Sequence, residues 1–212
     1  ALGLLGQMVD VGLSRDLVVY NAAASACARA GRWHEALGLL EGARREGLSP
    51  DVITYGAAIG ACEQGGRWES ALELLSHLSR EGVRADSAVC ASAASVCTRG
   101  GEWRRALALL ALARAEGLVP VESLLTVGVT ACEEGAAWLQ ALALLAEMRE
   151  LQLLPNVVAR GAAVSACARA GEWQASLAVL SDLQREGLEP TVIAYNAAIS
   201  ACERGRQWER AF

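Results

Sequence analysis

Cysteine and tryptophan recur in this chain with a regularity that invites a chemical explanation. Cys27, Cys62, Cys97, Cys132, Cys167 and Cys202 stand 35 residues apart, and so do Trp33, Trp68, Trp103, Trp138, Trp173 and Trp208. Thiols at fixed spacing could hold a metal, close disulfides or run redox chemistry, and indole rings could stack on bases. Structural zinc, however, takes four Cys or His ligands, often in close pairs. Here the cysteines are a full period apart except for Cys90 and Cys97, and the histidines are His34 and His77 alone. Equivalent residues of stacked units lie roughly 8 to 10 Å apart, beyond the roughly 7 Å between Cα atoms that a disulfide tolerates. The thiols therefore read as small buried hydrophobes at a helix seam, and the tryptophans as packing at the start of a helix. No Ser-His-Asp or Cys-His set, phosphate-cradling glycine loop or carboxylate pair stands out. The expectation is a protein that is not an enzyme, with no cofactor, no metal and no small-molecule substrate.

The period says which elements position these residues. A repeat of 20 to 50 residues marks a solenoid or array. Units begin at Leu17, Val52, Ser87, Glu122, Val157 and Val192, giving complete repeats 17–51, 52–86, 87–121, 122–156 and 157–191 between partial ones at 1–16 and 192–212. Each reads as two helices. The first follows a residue able to cap it, namely Asp16, Asp51, Asp86, Asn156 or Thr191, with Val121 the exception. It is small-sided, as in NAAASACA and GAAIGACE, which lets backbones approach closely. A glycine turn follows (Gly31, Gly65-Gly66, Gly100-Gly101, Gly135, Gly171). The second helix carries an apolar stripe, such as Trp68, Ala71, Leu72, Leu75 and Leu78, and ends at Gly47, Gly82, Gly117 or Gly187. The expected fold class is all-α: an α-solenoid of helix-turn-helix repeats forming a single array.

Composition narrows the partners. The net charge is −5, which gives no gross electrostatic footprint for DNA or an anionic membrane. All 19 basic residues are arginine. Arginine suits bidentate phosphate contact and stacking, and a biased codon supply would give the same composition. No apolar run approaches the roughly 20 residues that span a bilayer; the longest, ALALLALA at 106–113, is fenced by Arg104, Arg105 and Arg114. The chain opens and closes at nearly the same phase of the repeat, as a piece of a longer array would.

A pattern of V-x-x-Y-N at the start, A-G or G-G in the middle, A-L-x-L-L in the second helix and G-L-x-P-D at the end is carried nearly throughout by VVYNAAASACARAGRWHEALGLLEGARREGLSPD (18–51) and ITYGAAIGACEQGGRWESALELLSHLSREGVRAD (53–86). This pattern resembles the pentatricopeptide repeat family, and the resemblance runs through all 212 residues. Departures are the constant Trp and the fourth repeat, VESLLTVGVTACEEGAAW, which lacks the Tyr-Asn.

The resemblance implies a right-handed superhelix that binds single-stranded RNA, about one base per repeat, in RNA processing, stability or translation in a mitochondrion or chloroplast. In the family the fifth and last residues of a repeat read the base edge, and the second packs on the base face. The implied reading residues are Asn21 with Asp51, Gly56 with Asp86, Thr126 with Asn156, and Asn196; the implied flanking residues are Val18, Ile53, Val158 and Ile193. By the family's pattern, Asn with Asp suggests uridine and Thr with Asn adenine, while Gly161 with Thr191 is unassignable. Arg29, Arg99, Arg169 and Arg204 fall in register and are the candidate phosphate contacts. Each of these residues has a second explanation. The Asp, Asn and Thr are good helix caps in any case, and arginines at a helix C-terminus suit its dipole. The rival reading is a protein-interaction scaffold with an acidic groove of Glu63, Glu133, Glu134 and Glu203.

Overall fold

In the computed structural model, residues 16–207 are described, and they form eleven helices and no strand. The chain divides into two compact units. In the first, Ala1–Gly100, run α1 (Leu17–Arg29), α2 (Trp33–Arg45), α3 (Val52–Gly65), α4 (Trp68–Arg80) and α5 (Ser87–Arg99). In the second, Gly101–Phe212, run α6 (Trp103–Ala115), α7 (Glu122–Glu134), α8 (Trp138–Glu150), α9 (Val157–Ala170), α10 (Trp173–Arg185) and α11 (Val192–Arg204). The division falls between the two helices of the third repeat. Trp208 and most of the first partial repeat lie outside the described residues.

Every first helix starts at the first residue of a 35-residue unit. Five caps do what their residue types allow: side chains of Asp16, Asp51, Asp86, Asn156 and Thr191 accept from the backbone N–H three residues on. Val121 offers no such bond to α7.

Within each unit the first helices lie side by side. In the first, α3 packs between α1 and α5, while α2 and α4 each cover their own first helix and the next. In the second, α9 packs between α7 and α11 in the same way, with α8 and α10 outside. The seam is made of small residues: Tyr20, Ala23, Ala24 and Cys27 of α1 meet Ala36, Leu39 and Ala43 of α2 and Ala61 of α3. All seven cysteines are free and buried. Burial pushes the Cys62, Cys132 and Cys167 thiols up to about 11, the state of inert packing residues.

Tryptophan and glycine recur together for a reason visible only in three dimensions. The ring of Trp68 slides under the turn after α5, where a Cβ on Gly100 would stand 2.6 Å from its Cδ1. Trp33 meets Gly65 in the same way within the first unit, and Trp103 meets Gly135 and Trp173 meets Gly205 within the second. The indole is thus half-buried against the following repeat rather than sunk in its own core. The turn itself is made one residue later: Gly101 has φ 78°, and in the fourth repeat Ala136 must take φ 50°, a conformation that disfavours a side chain.

At the fourth position of a repeat, Tyr55 is buried and its hydroxyl donates to Glu81 (2.7 Å), which also pairs with Arg44. Arg160 occupies that place in the fifth repeat, only 2 % exposed, donating to the Pro155 carbonyl (3.1 Å) and to Glu186. No helix among the described residues is long and apolar enough to cross a membrane, and no group of three or more His, Cys, Asp or Glu there could hold a metal.

Candidate functional site

The variable positions of the repeat gather at the N-terminal ends of the first helices. Val18, Ile53, Val158 and Ile193, second in their repeats, are 71 %, 59 %, 64 % and 71 % exposed. Large apolar side chains left out of a core that takes up most of their helix neighbours leave apolar surface open to a ligand.

The first repeat has a complete polar site. Asn21, fifth in the repeat, donates through Nδ2 to both carboxylate oxygens of Asp51, the last residue, at 3.2 and 3.3 Å. Thr54, fully buried in α3, ties the pair together. Its N–H donates to Asp51 Oδ1 (2.9 Å), its hydroxyl accepts from the Asp51 N–H (3.3 Å), and that hydroxyl stands within donating distance of Asn21 Oδ1 and Asp51 Oδ1. A single hydroxyl proton serves one of those acceptors at a time. Burial alone would raise the Asp51 carboxyl. The bonds from Thr54, Asn21 and the Ile53 N–H outweigh it and hold the group below the ordinary carboxylate range. Asp51 is therefore a helix cap and half of a side-chain pair at once.

The fourth repeat has the same parts without the assembly. Asn156 caps α9 through Oδ1 and donates through Nδ2 to Glu122 Oε1 (2.9 Å), at the start of its own repeat, rather than to Thr126. The Thr126 hydroxyl is buried and has no hydrogen-bond partner. The third residue of the next repeat is Ala159 here, so nothing stands where Thr54 does.

The remaining positions are simpler. Asp86 is exposed and caps α5 through the Val89 N–H (2.7 Å). A Cβ on Gly56 would come within 3.2 Å of Val89 Cγ2. Asn196 is exposed and lines a shallow cleft with Ile193, Ser200 and Arg204. Gly161 and Thr191 border a second cleft together with Val158 and Ile193.

The arginine stripe is less available than its spacing suggests. Arg99 pairs with Glu63 at 3.2 Å and Arg169 with Glu134 at 3.6 Å, each reaching to the preceding repeat. Arg204 donates to the carbonyls of Ala168 and Arg169, both at 3.2 Å. Arg29 is exposed. These pairs are half open to water, so each contributes little to stability. Sequence reasoning overlooked Thr54 and Glu122. The only signal for Thr54 was the spacing Asp51-x-x-Thr54 of a reciprocal cap.

A pentatricopeptide repeat domain profile matches residues 3–65 and 141–204, and a PPR repeat profile matches residues 53–83. Comparison with curated protein sequences gave no match. Among solved structures, the chain is similar to the pentatricopeptide repeat protein PPR10 from maize, with 26 % identity and a TM-score of 0.71 over 93 % of this chain and 28 % of that one. The chain thus spans under a third of the maize protein. PPR10 in complex with an 18-nucleotide psaJ RNA element matches at 22 % identity and a TM-score of 0.65, over 94 % of this chain and 34 % of that one. The PPR domain of Arabidopsis thaliana protein-only RNase P 1, in complex with tRNA, matches at 15 % identity and a TM-score of 0.70, over 89 % and 96 % of the two chains.

Proposed function

Because the chain belongs to the pentatricopeptide repeat family, we propose that it is a single-stranded RNA-binding module that reads about one base per repeat. The observation that carries the reading is the Asn21–Asp51 bond. Two residues thirty positions apart, paired by the family's pattern as readers of one base, meet at hydrogen-bond distance beside exposed Val18 and Ile53. A base held between those two side chains would present its edge to Asn21 and Asp51. By the same logic Thr126 with Asn156 reads a second base, Asp86 reads weakly beside Gly56, and Asn196 opens the last repeat. Val158 and Ile193 flank a base in the fifth repeat. Arg29, Arg99, Arg169 and Arg204 approach the phosphates, the last three after exchanging their present partners.

The module holds its RNA without cleaving it. The work this suits is RNA processing, stability or translation in a mitochondrion or chloroplast. The direct test is titration with a U-x-x-A RNA at two salt concentrations. Affinity should fall as salt rises, since displaced counterions drive phosphate contact. Equal indifference to every RNA sequence at low salt would sink the reading. The ion pairs of Arg99 and Arg169 with Glu63 and Glu134 favour a second reading, a groove for a basic protein segment. Binding of an arginine-rich peptide in preference to RNA would establish that alternative.

A further inference from the structure

In the second compact unit, the cleft bordered by Val158, Ile193, Gly161 and Thr191 has a volume of about 280 Å³, and its lining continues to Glu133 and Ser165. Val158, Gly161 and Thr191 are the flanking and reading positions of the fifth repeat, and Ile193 is the flanking position of the repeat that follows. Gly161 and Thr191 were unassignable from residue types, because the fifth position has no side chain to read with. We infer that this cleft takes a guanine base, read by the Glu133 carboxylate of the preceding repeat through the gap that Gly161 leaves. The inference rests on the RNA reading above and adds to it a reading residue outside the fifth and last positions.

Three observations support it. A Cβ built on Gly161 meets nothing within 4 Å, so the glycine opens space rather than relieving a clash. Glu133 also lines the adjoining cleft with Ile193 and Asn196, so it faces the groove on both sides of the Ile193 platform. And Glu133 keeps acceptor capacity. Arg169 makes its ion pair with the neighbouring Glu134, leaving Glu133 with a hydrogen bond from Ser165. A carboxylate has about four lone-pair sites. The equivalent carboxylate in the first unit, Glu63, is differently placed: it takes both the Arg99 guanidinium (3.2 Å) and the Ser95 hydroxyl (2.7 Å).

The base follows from the donor pattern. Guanine offers two adjacent donors, N1–H and N2–H, that a carboxylate accepts side by side. Adenine and cytosine each offer one amino group beside a ring-nitrogen lone pair, which repels the second oxygen. Uracil offers one N–H between two carbonyls. Burial pushes the Glu133 carboxyl above its usual range, with the Glu134 charge adding to the rise and Ser165 and Arg169 offsetting part of it. An ionised group so short of donors gains from two more.

The test uses the whole 212-residue chain and four RNAs, U-x-x-A-N, differing only in the final base. The guanine form should bind at least about tenfold tighter than the other three, the scale of a bidentate contact. Glu133→Gln should cut that margin to under about threefold, because an amide presents one donor and one acceptor to two donors. It should leave uridine preference at the first base unchanged. Gly161→Leu, a better helix former that fills the cleft, should weaken all four RNAs and erase the distinction at the last base alone. Indifference of the native chain to the last base, or a guanine preference that survives Glu133→Gln, overturns the inference while selection at the first base stands. Failure to bind any of the RNAs removes the RNA reading and this inference with it.

Discussion

The first and fourth repeats each carry a proposed reading pair, a polar fifth residue and a cap at the end, yet the two pairs stand in opposite states. Asn21 and Asp51 are bonded to each other and locked by Thr54. Thr126 and Asn156 are not: one hydroxyl is buried without a partner, and the amide has turned to Glu122. Besides the pairs themselves, two neighbours differ: the third residue of the following repeat is Thr54 in one case and Ala159 in the other, and the first residue of the repeat itself is Leu17 in one and Glu122 in the other. On the proposed reading, a preassembled pair would meet its base with little reorganisation. A base at the fourth repeat would have to recruit Asn156 from Glu122, and would give Thr126 the partner it lacks.

The largest effect should come from breaking the assembled pair at its centre. Asp51→Ala removes the cap of α3 and the partner of Asn21, and should lower stability by about 1 to 2 kcal/mol, read by denaturant unfolding. In RNA titration it should abolish uridine preference at the first base while leaving adenine preference at the fourth. Equal loss at both positions would mean that Asp51 acts only by holding the repeats together.

Thr54→Val is the sharper cut, because it keeps shape and both reading residues. It leaves the Asp51 N–H without the hydroxyl and frees Asn21 to turn, at about 1 kcal/mol. If the third residue sets the state of the pair, the first repeat should then behave like the fourth, with weaker selection at unchanged residue types. Thr126→Val is the mirror experiment and should have the opposite sign. Replacing a buried hydroxyl that has no partner is neutral or stabilising by up to about 1 kcal/mol, while adenine selection at the fourth base is lost.

How much of this could be read from the sequence divides along the same line. The strict 35-residue spacing of Cys and Trp, the caps at Asp16, Asp51, Asp86, Asn156 and Thr191 and the apolar stripes are local, and the helices follow them. The failure at Val121 was equally legible, since valine has no oxygen to cap with. Apart from Asn21 with Asp51, which the family's pattern pairs, the meeting of polar side chains is not legible, because it depends on contacts between repeats. The spacing that puts Arg99 in the stripe does not show that Glu63, one repeat earlier, stands 3.2 Å from it. Trp68 looked like core until it was found under the turn at Gly100. Residue type sets what a position can do, and the neighbouring repeat sets what it is doing.

The smallest effect is also the most discriminating, because two carboxylates should move oppositely with pH. Asp51 has its folded pKa depressed, so its contribution is present above the unfolded value of about 3.9 and is lost as pH falls through the lower folded value. Glu133 has its folded pKa raised, so ionisation costs stability at neutral pH, and the cost is relieved as pH falls through that raised value towards the unfolded one. Asp51→Asn keeps a capping oxygen but gives up the charge. It should melt below the native chain at pH 7, with the gap closing in the most acidic buffers. Glu133→Gln should melt slightly above the native chain at pH 7, with its gap closing earlier on acidification, before that of Asp51→Asn. Melting curves from pH 7 to pH 3 check both. Gaps that close together, or with the same sign, would mean that the two carboxylates sit in equivalent surroundings and that the contrast between an assembled and an open site is not real.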